Sequence, residues 1–142
     1  MGTLTKPAIS RGCSFPIAFQ AICDMDLWVE QVGKKWAVDD RALFRARVCI
    51  SELATNVIEH GQVDPADGTI DLELRNKMPT LEIEISAPGI AFDPTIVPAK
   101  PIDKDRIGGL GLHLVRAYAN SLRYRRVGQR NVITFALTPK AN

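Results

Sequence analysis

Residues Val48 to Gly61 read V-C-I-S-E-L-A-T-N-V-I-E-H-G. Glu52, Asn56, Glu59 and His60 fall at i, i+4, i+7 and i+8, so in a helix they share one face. Leu53, Ala54, Val57 and Ile58 occupy the rest of the cylinder and can bury against a sheet. A carboxylate, an amide and an imidazole one turn apart are groups that bind a hydrated metal and handle a proton. Glu and Asn alone would describe a solvated helix face. The company they keep in the same short chain argues otherwise.

That company is Gly108-Gly109-Leu110-Gly111-Leu112-His113-Leu114-Val115, a glycine cluster opening into a helix. A helix N-terminus has unpaired N–H groups and the positive end of the dipole, both of which favour phosphate. Glycine removes the Cβ that would keep a ligand from the backbone. Arg106, just before, can add charge-assisted bonds to phosphate oxygens. A third stretch, Ser86 to Pro94, leaves a strand and turns into a loop; read alone it is only turn-rich, and Phe92 reads as core.

These groups need elements to hold them. Asp39 and Asp40 offer a cap for the long helix carrying Leu43, Phe44, Val48 and the polar row, and Gly61 would stop it in the left-handed conformation. Before it, Asp24 or Asp26 could cap a helix with Leu27, Val29, Val32 and Trp36 inward. Ser14 to Ala21 reads as an edge strand because Pro16 cannot donate to a ladder; residues 1–11 read as a loose terminus. Gln62 to Gly68 carries the turn signals Asp64-Pro65 and Asp67-Gly68. Thr69 to Arg75 and Leu81 to Ser86 alternate apolar and polar, a hairpin with one wet face. Residues 87–107 hold four prolines and are too long for an ordinary connection, which suggests a lid. A helix from Gly111 to Asn120 and strands from Leu122 to Val127 and Asn131 to Thr138 complete the chain. Abutting antiparallel strands with helices collected on one face make an α+β, two-layer α/β sandwich.

With 142 residues the chain fits a single domain with one core. A net charge of +2 is too small to argue for nucleic acid, and the arginines from Arg116 to Arg130 read as a solvated face. Three cysteines without C-x-x-C spacing do not suggest zinc or a disulfide framework. No signal-like segment or bilayer-length apolar run is found, so a cytoplasmic protein without membrane contact is expected.

Three motifs carry a resemblance. E-L-x-x-N-x-x-x-H at Glu52, Asn56 and His60 resembles the N-box of the GHKL (histidine-kinase-like) ATP-binding domain. G-x-A-F-D-P at Gly89 to Pro94 resembles its first glycine box, and G-G-L-G-L-H-L-V-R at Gly108 to Arg116 its second. The short chain and the F-D-P signature resemble, within that group, the anti-sigma-factor serine/threonine-protein kinases. The resemblance runs from about Ser14 to Thr138.

The resemblance implies a Bergerat-type fold with a mixed, mainly antiparallel sheet, and MgATP between the helices and a lid over 87–107. It implies that Asn56 coordinates Mg²⁺ and that Glu52 is the base toward the attacking hydroxyl. Gly108, Gly109 and Gly111, with Arg106, would hold phosphates; His60, Gly89 and Leu112 fall within the boxes that line the nucleotide. Thr134 would place a hydroxyl near the adenine. Such kinases phosphorylate a STAS-domain anti-anti-sigma factor and bind a sigma factor, switching transcription by partner exchange; a homodimer is expected. One departure stands out. The first box carries an Asp two residues before its glycine, which accepts a bond from the adenine amine; here that position is Ala87. Losing the acceptor costs about 1–3 kcal/mol. Two readings therefore stay open: an active kinase, or an anti-sigma binding module with weak or no ATP turnover. The ATPase half of a sensor kinase ranks below both, because no helix pair bearing a phosphorylatable histidine is expected upstream.

Overall fold

A computed structural model of the protein describes residues 9–96 and 111–139. Its elements are β1 (Ile9–Pro16), α1 (Gln20–Lys35), α2 (Asp40–His60), β2 (Thr69–Lys77), β3 (Thr80–Pro88), α3 (Gly111–Tyr118), β4 (Ser121–Val127) and β5 (Arg130–Leu137). The five strands form one sheet in the order β1-β2-β3-β5-β4, and all four pairings are antiparallel. The resemblance implied a mixed, mainly antiparallel sheet; no parallel pair occurs among the described strands.

Period-2 alternation decides which face of the sheet is dry. Ile70, Leu72 and Leu74 of β2, Leu81, Ile83, Ile85 and Ala87 of β3, and Ile133, Phe135 and Leu137 of β5 join one core. The helices cover that face: Ala21, Met25 and Val29 from α1, Leu43, Ala46, Ile50, Leu53 and Ala54 from α2, and Val115 from α3. The opposite face carries the charges. Burial pushes the Glu82 carboxyl up, but Lys77 and Arg75 donate to it at 3.0 and 2.8 Å and hold it below its ordinary range on balance.

Several boundaries differ from the sequence reading. The expected loose terminus reached residue 11, yet Ile9 to Arg11 already pair with Asn76 to Leu74 in β1. The first strand ends at Pro16 rather than running to Ala21, and α1 starts at Gln20, with no side-chain cap on its first turn. β1 is exposed along most of its length, so hydrophobic alternation does not mark it. The inward stripe of α1 is Ala21, Met25, Val29 and Gly33 rather than one containing Leu27, which is 56% exposed.

α2 begins as expected, with the Asp39 carboxylate accepting from the Ala42 N–H at 3.1 Å. Its end differs. Gly61 is right-handed (φ −67°) and the left-handed residue is Gln62 (φ 55°). The Gly61 carbonyl accepts the Ile90 N–H at 3.1 Å, and a Cβ on Gly89 would meet the Gly61 oxygen at 2.9 Å. Glycines meet here because the backbone leaving β3 crosses the end of α2 at close range. Asp64 caps a short 3₁₀ turn at Pro65–Asp67, as the turn signals require. Among the described residues no helix is long and apolar enough to cross a membrane.

Candidate functional site

The polar row sits where α2 meets both the loop after β3 and the start of α3. Glu52 is half-buried, and a Cβ added to Gly111, the first residue of α3, would stand 2.7 Å from Glu52 Oε2. The carboxylate therefore lies against the opening turn of the glycine-box helix, in space that any side chain at 111 would claim. Burial pushes its pKa up, and the Glu59 carboxylate seven residues on adds to the rise. Among the described residues no cation pairs with it to pull the pKa down. A carboxylate held this way is a stronger base than one in water, yet still ionised above its own pKa.

One turn further along, Asn56 and His60 line a narrow recess of about 30 Å³ together with Ile90, Phe92, Asn131 and Ile133. Its walls are almost wholly apolar, the character of a slot for a flat ring. Asn56 makes no side-chain hydrogen bond among the described residues, and it lines the recess. His60 is more than half exposed at the recess mouth, 3.5 Å from the Glu59 carboxylate. Leu112 is half-buried on the first turn of α3, and Gly89 (φ 149°) has a backbone that other residues rarely adopt.

Two expected site residues do not join them in the expected way. Thr134 lies on the far face of the sheet: its neighbours Ile133 and Phe135 are buried against the helices, so the pleat sends Thr134 outward, opposite Glu84 and Arg123. It lines a charged recess with Arg75, Glu84, Arg123 and Arg125 rather than the slot. Ala87 does project toward the helices, but its methyl is 2% exposed and packed in the core. Arg106, Gly108 and Gly109 lie outside the described residues, as do positions 97–107 of the lid expected over 87–107; of that expected stretch, residues 87 and 88 belong to β3.

The arginines read as a solvated face include three that anchor loops. Arg116 donates to the Pro94 carbonyl at 2.8 and 3.1 Å, Arg126 to the Gly89 carbonyl at 2.7 Å, and Arg130 to Asp71 and Ser86 at 2.8 and 2.9 Å. Asn131 is the hub of this fastening. Its Oδ1 accepts from the Phe92 N–H at 3.1 Å and the Tyr124 hydroxyl at 2.6 Å, while its Nδ2 donates to the Ile90 carbonyl at 2.8 Å. Nothing in the local sequence marked Asn131 beyond its place at the start of a strand; its pairing with Ala87 is set by the β3–β5 register. No group of three or more His, Cys, Asp or Glu is placed to hold a metal ion among the described residues. A divalent cation here would rest on Asn56 and on the ligand's own oxygens.

Comparison with known proteins bears on the family and the fold. The family model described as the histidine kinase-like ATPase domain matches residues 19–137. A serine/threonine-protein kinase, BtrW of Bordetella bronchiseptica, is 28% identical over 111 residues, covering 75% of this chain and 78% of the relative. Among solved structures, the RsbU and RsbW domains of Rv1364c from Mycobacterium tuberculosis superpose with a TM-score of 0.68 at 15% identity, covering 95% of this chain. This chain spans only 34% of that one. The histidine kinase domain of a blue-light activated histidine kinase from Erythrobacter litoralis EL346 gives a TM-score of 0.53 at 16% identity, covering 87% of this chain and 61% of that one. At these identities the two structures speak for the fold.

Proposed function

The chain belongs to the histidine kinase-like ATPase domain family, and on that premise we propose that it is an ATP-dependent protein serine/threonine kinase acting on a STAS-domain anti-anti-sigma factor. In the same proposal it binds a sigma factor, exchanges the two partners and works as a cytoplasmic homodimer. In that proposal the chain is a single ATPase domain, with the expected lid lying between β3 and α3. The observation that carries the reading is the Glu52 carboxylate against Gly111, which joins the polar row of α2 to the glycine-box helix.

The residues suit a magnesium nucleotide: a narrow apolar recess, beside it an Asn56 amide that makes no side-chain hydrogen bond among the described residues, and a helix start without a side chain. Bound MgATP would supply the transferable phosphoryl group and the charge neutralisation that its loose transition state needs. The chain's own contributions are positional. Asn56 offers its amide oxygen to the cation. The start of α3, with Arg106, offers N–H groups and positive charge to phosphate oxygens. Glu52 takes the proton from the attacking serine or threonine hydroxyl, and its raised pKa suits that role. The likeness to BtrW supports the kinase assignment; Rv1364c supports the fold alone.

The test is phosphate transfer from MgATP to a cognate STAS-domain protein. The wild-type chain is expected to yield phosphoserine or phosphothreonine, and Glu52→Gln to bind nucleotide equally well while transferring about 100-fold or more slowly. An equal rate for the two would remove Glu52 as the base. One observation favours a second reading, an anti-sigma binding module with little turnover: the buried methyl of Ala87 offers no acceptor to a base. Calorimetric titration with MgATP separates the two, since micromolar affinity removes the reason for the second.

A further inference from the structure

The recess beside Asn56 has a volume of about 30 Å³, whereas ligand pockets run to roughly 300–1,000 Å³. Leu53 and Ile133 line it from α2 and β5, and Ile90 and Phe92 from the segment after β3. What keeps it narrow is the hold on that segment. The Ile90 N–H donates to the Gly61 carbonyl at 3.1 Å, and the Ile90 carbonyl accepts from Asn131 Nδ2 at 2.8 Å. The Phe92 N–H donates to Asn131 Oδ1 at 3.1 Å. Arg126 donates to the Gly89 carbonyl at 2.7 Å, and Arg116 to the Pro94 carbonyl at 2.8 and 3.1 Å. We propose that residues 89–94 form a fastened plug over the base slot, which a nucleotide fills only after the segment is released. This regulation presupposes the nucleotide reading above.

Each of these bonds takes a backbone group of the segment, so the hold does not depend on which side chains stand at 90 and 92. The partners come from α3, β4, β5 and the end of α2, all held in place without the segment's help. Asn131 is the central fastener. Both ends of its amide are engaged, and the Tyr124 hydroxyl, 2.6 Å from Oδ1, sets which end faces Phe92. Reversing the amide would set Nδ2 against the Phe92 N–H and Oδ1 against the Ile90 carbonyl, like against like. Its cross-strand partner Ala87 is a methyl and makes no claim on that amide. Apolar burial adds little to the closure, because Ile90 is 50% exposed and Ala91 is exposed beside it. The polar fasteners therefore carry most of the hold, each worth a factor of roughly two to ten in the closed population. A nucleotide that binds only the released form has its affinity lowered by the fraction of chains that are released.

The test is stopped-flow and equilibrium binding of a fluorescent ATP analogue with Mg²⁺, with no turnover needed. In the wild type the observed association rate should level off as the analogue rises, at the rate of release. Asn131→Ala removes the bonds to Ile90 and Phe92; it should tighten binding about tenfold and raise that plateau. Arg126→Ala removes the Gly89 bond from an exposed position and should tighten binding about threefold. Thermal melts check that the variants fold, and Arg126→Ala carries the comparison alone if Asn131→Ala does not. An Asn131 that merely supports the fold, or that touches the ligand, predicts the opposite sign, weaker binding on its removal. Hydrogen exchange reads the release directly: saturating analogue should speed exchange in peptides spanning 89–94. Unchanged or weaker binding in the folded variants, an association rate that stays linear, or slower exchange overturns the plug and leaves the nucleotide site standing. A protein that binds the analogue in none of these forms overturns the nucleotide reading and the plug with it.

Discussion

Gly111→Ala isolates the contact on which the catalytic reading rests. The added Cβ would lie 2.7 Å from Glu52 Oε2 and 3.6 Å from its Cδ, and real Cβ atoms do not approach an oxygen that closely. The carboxylate must turn away, which moves its oxygens from the start of α3. Rotating the far end of a flexible side chain costs about 0.5–1.5 kcal/mol. Alanine in a helix gains roughly 0.5–1 kcal/mol over glycine, and Gly111 has no positive φ to forbid it. The two terms nearly cancel, so the melting temperature should move by less than about 4 °C. Activity has no such compensation. A base displaced by about an ångström loses on the order of 100-fold. The measurement pairs a thermal melt with single-turnover phosphate transfer to a STAS-domain partner, nucleotide affinity being checked separately. A variant that melts normally, binds nucleotide and transfers phosphate at the wild-type rate would refute the placement of Glu52 as base.

Three further outcomes are expected. Burial first, and then Glu59, raise the Glu52 pKa, so the acid limb of the transfer rate should lie above the ordinary carboxylate range; Glu59→Gln removes a repelling charge and should move that limb to lower pH, and a stationary limb would separate Glu52 from the titration. Burial, with Glu52 nearby, pushes the Cys49 thiol up to about 12, so at neutral pH alkylation of the folded protein should label exposed Cys23 and spare Cys49, as peptide mass mapping will show. Arg75→Met leaves the nearly buried Glu82 with Lys77 as its main partner and should cost about 2–3 kcal/mol in urea unfolding at pH 7. Because the folded-state pKa of Glu82 is lowered, its contribution is present above the unfolded pKa and fades as pH falls through the folded one; the penalty should shrink over the same acid range.

The sequence by itself determined whatever repeats with the geometry of a local element. The carboxylate–amide–imidazole row follows from the 3.6-residue turn, and the structure places Glu52, Asn56 and His60 along α2 as read. The Asp39 cap follows from a capping carboxylate and the β2–β3 hairpin from alternation, and the last two strands fall on either side of the expected turn at Gly128. The first strand and the start of α1 were not legible, because an exposed edge strand and an uncapped helix lack those signals.

Tertiary structure alone decided what depends on register and on distant backbone. Thr134 carries the right chemistry one residue out of phase, and a pleat turns a one-residue offset into the opposite face. Asn131 carries no motif, yet its pairing with Ala87 and its bonds to Ile90, Phe92 and Tyr124 put it in the slot. Gly89 and Gly111 are used sterically: a Cβ on the first would meet the Gly61 carbonyl oxygen at 2.9 Å, and the second admits the Glu52 carboxylate. Spacing along the chain says which groups share an element. Only the packing of α2 against α3 and the β3–β5 ladder says which of them meet.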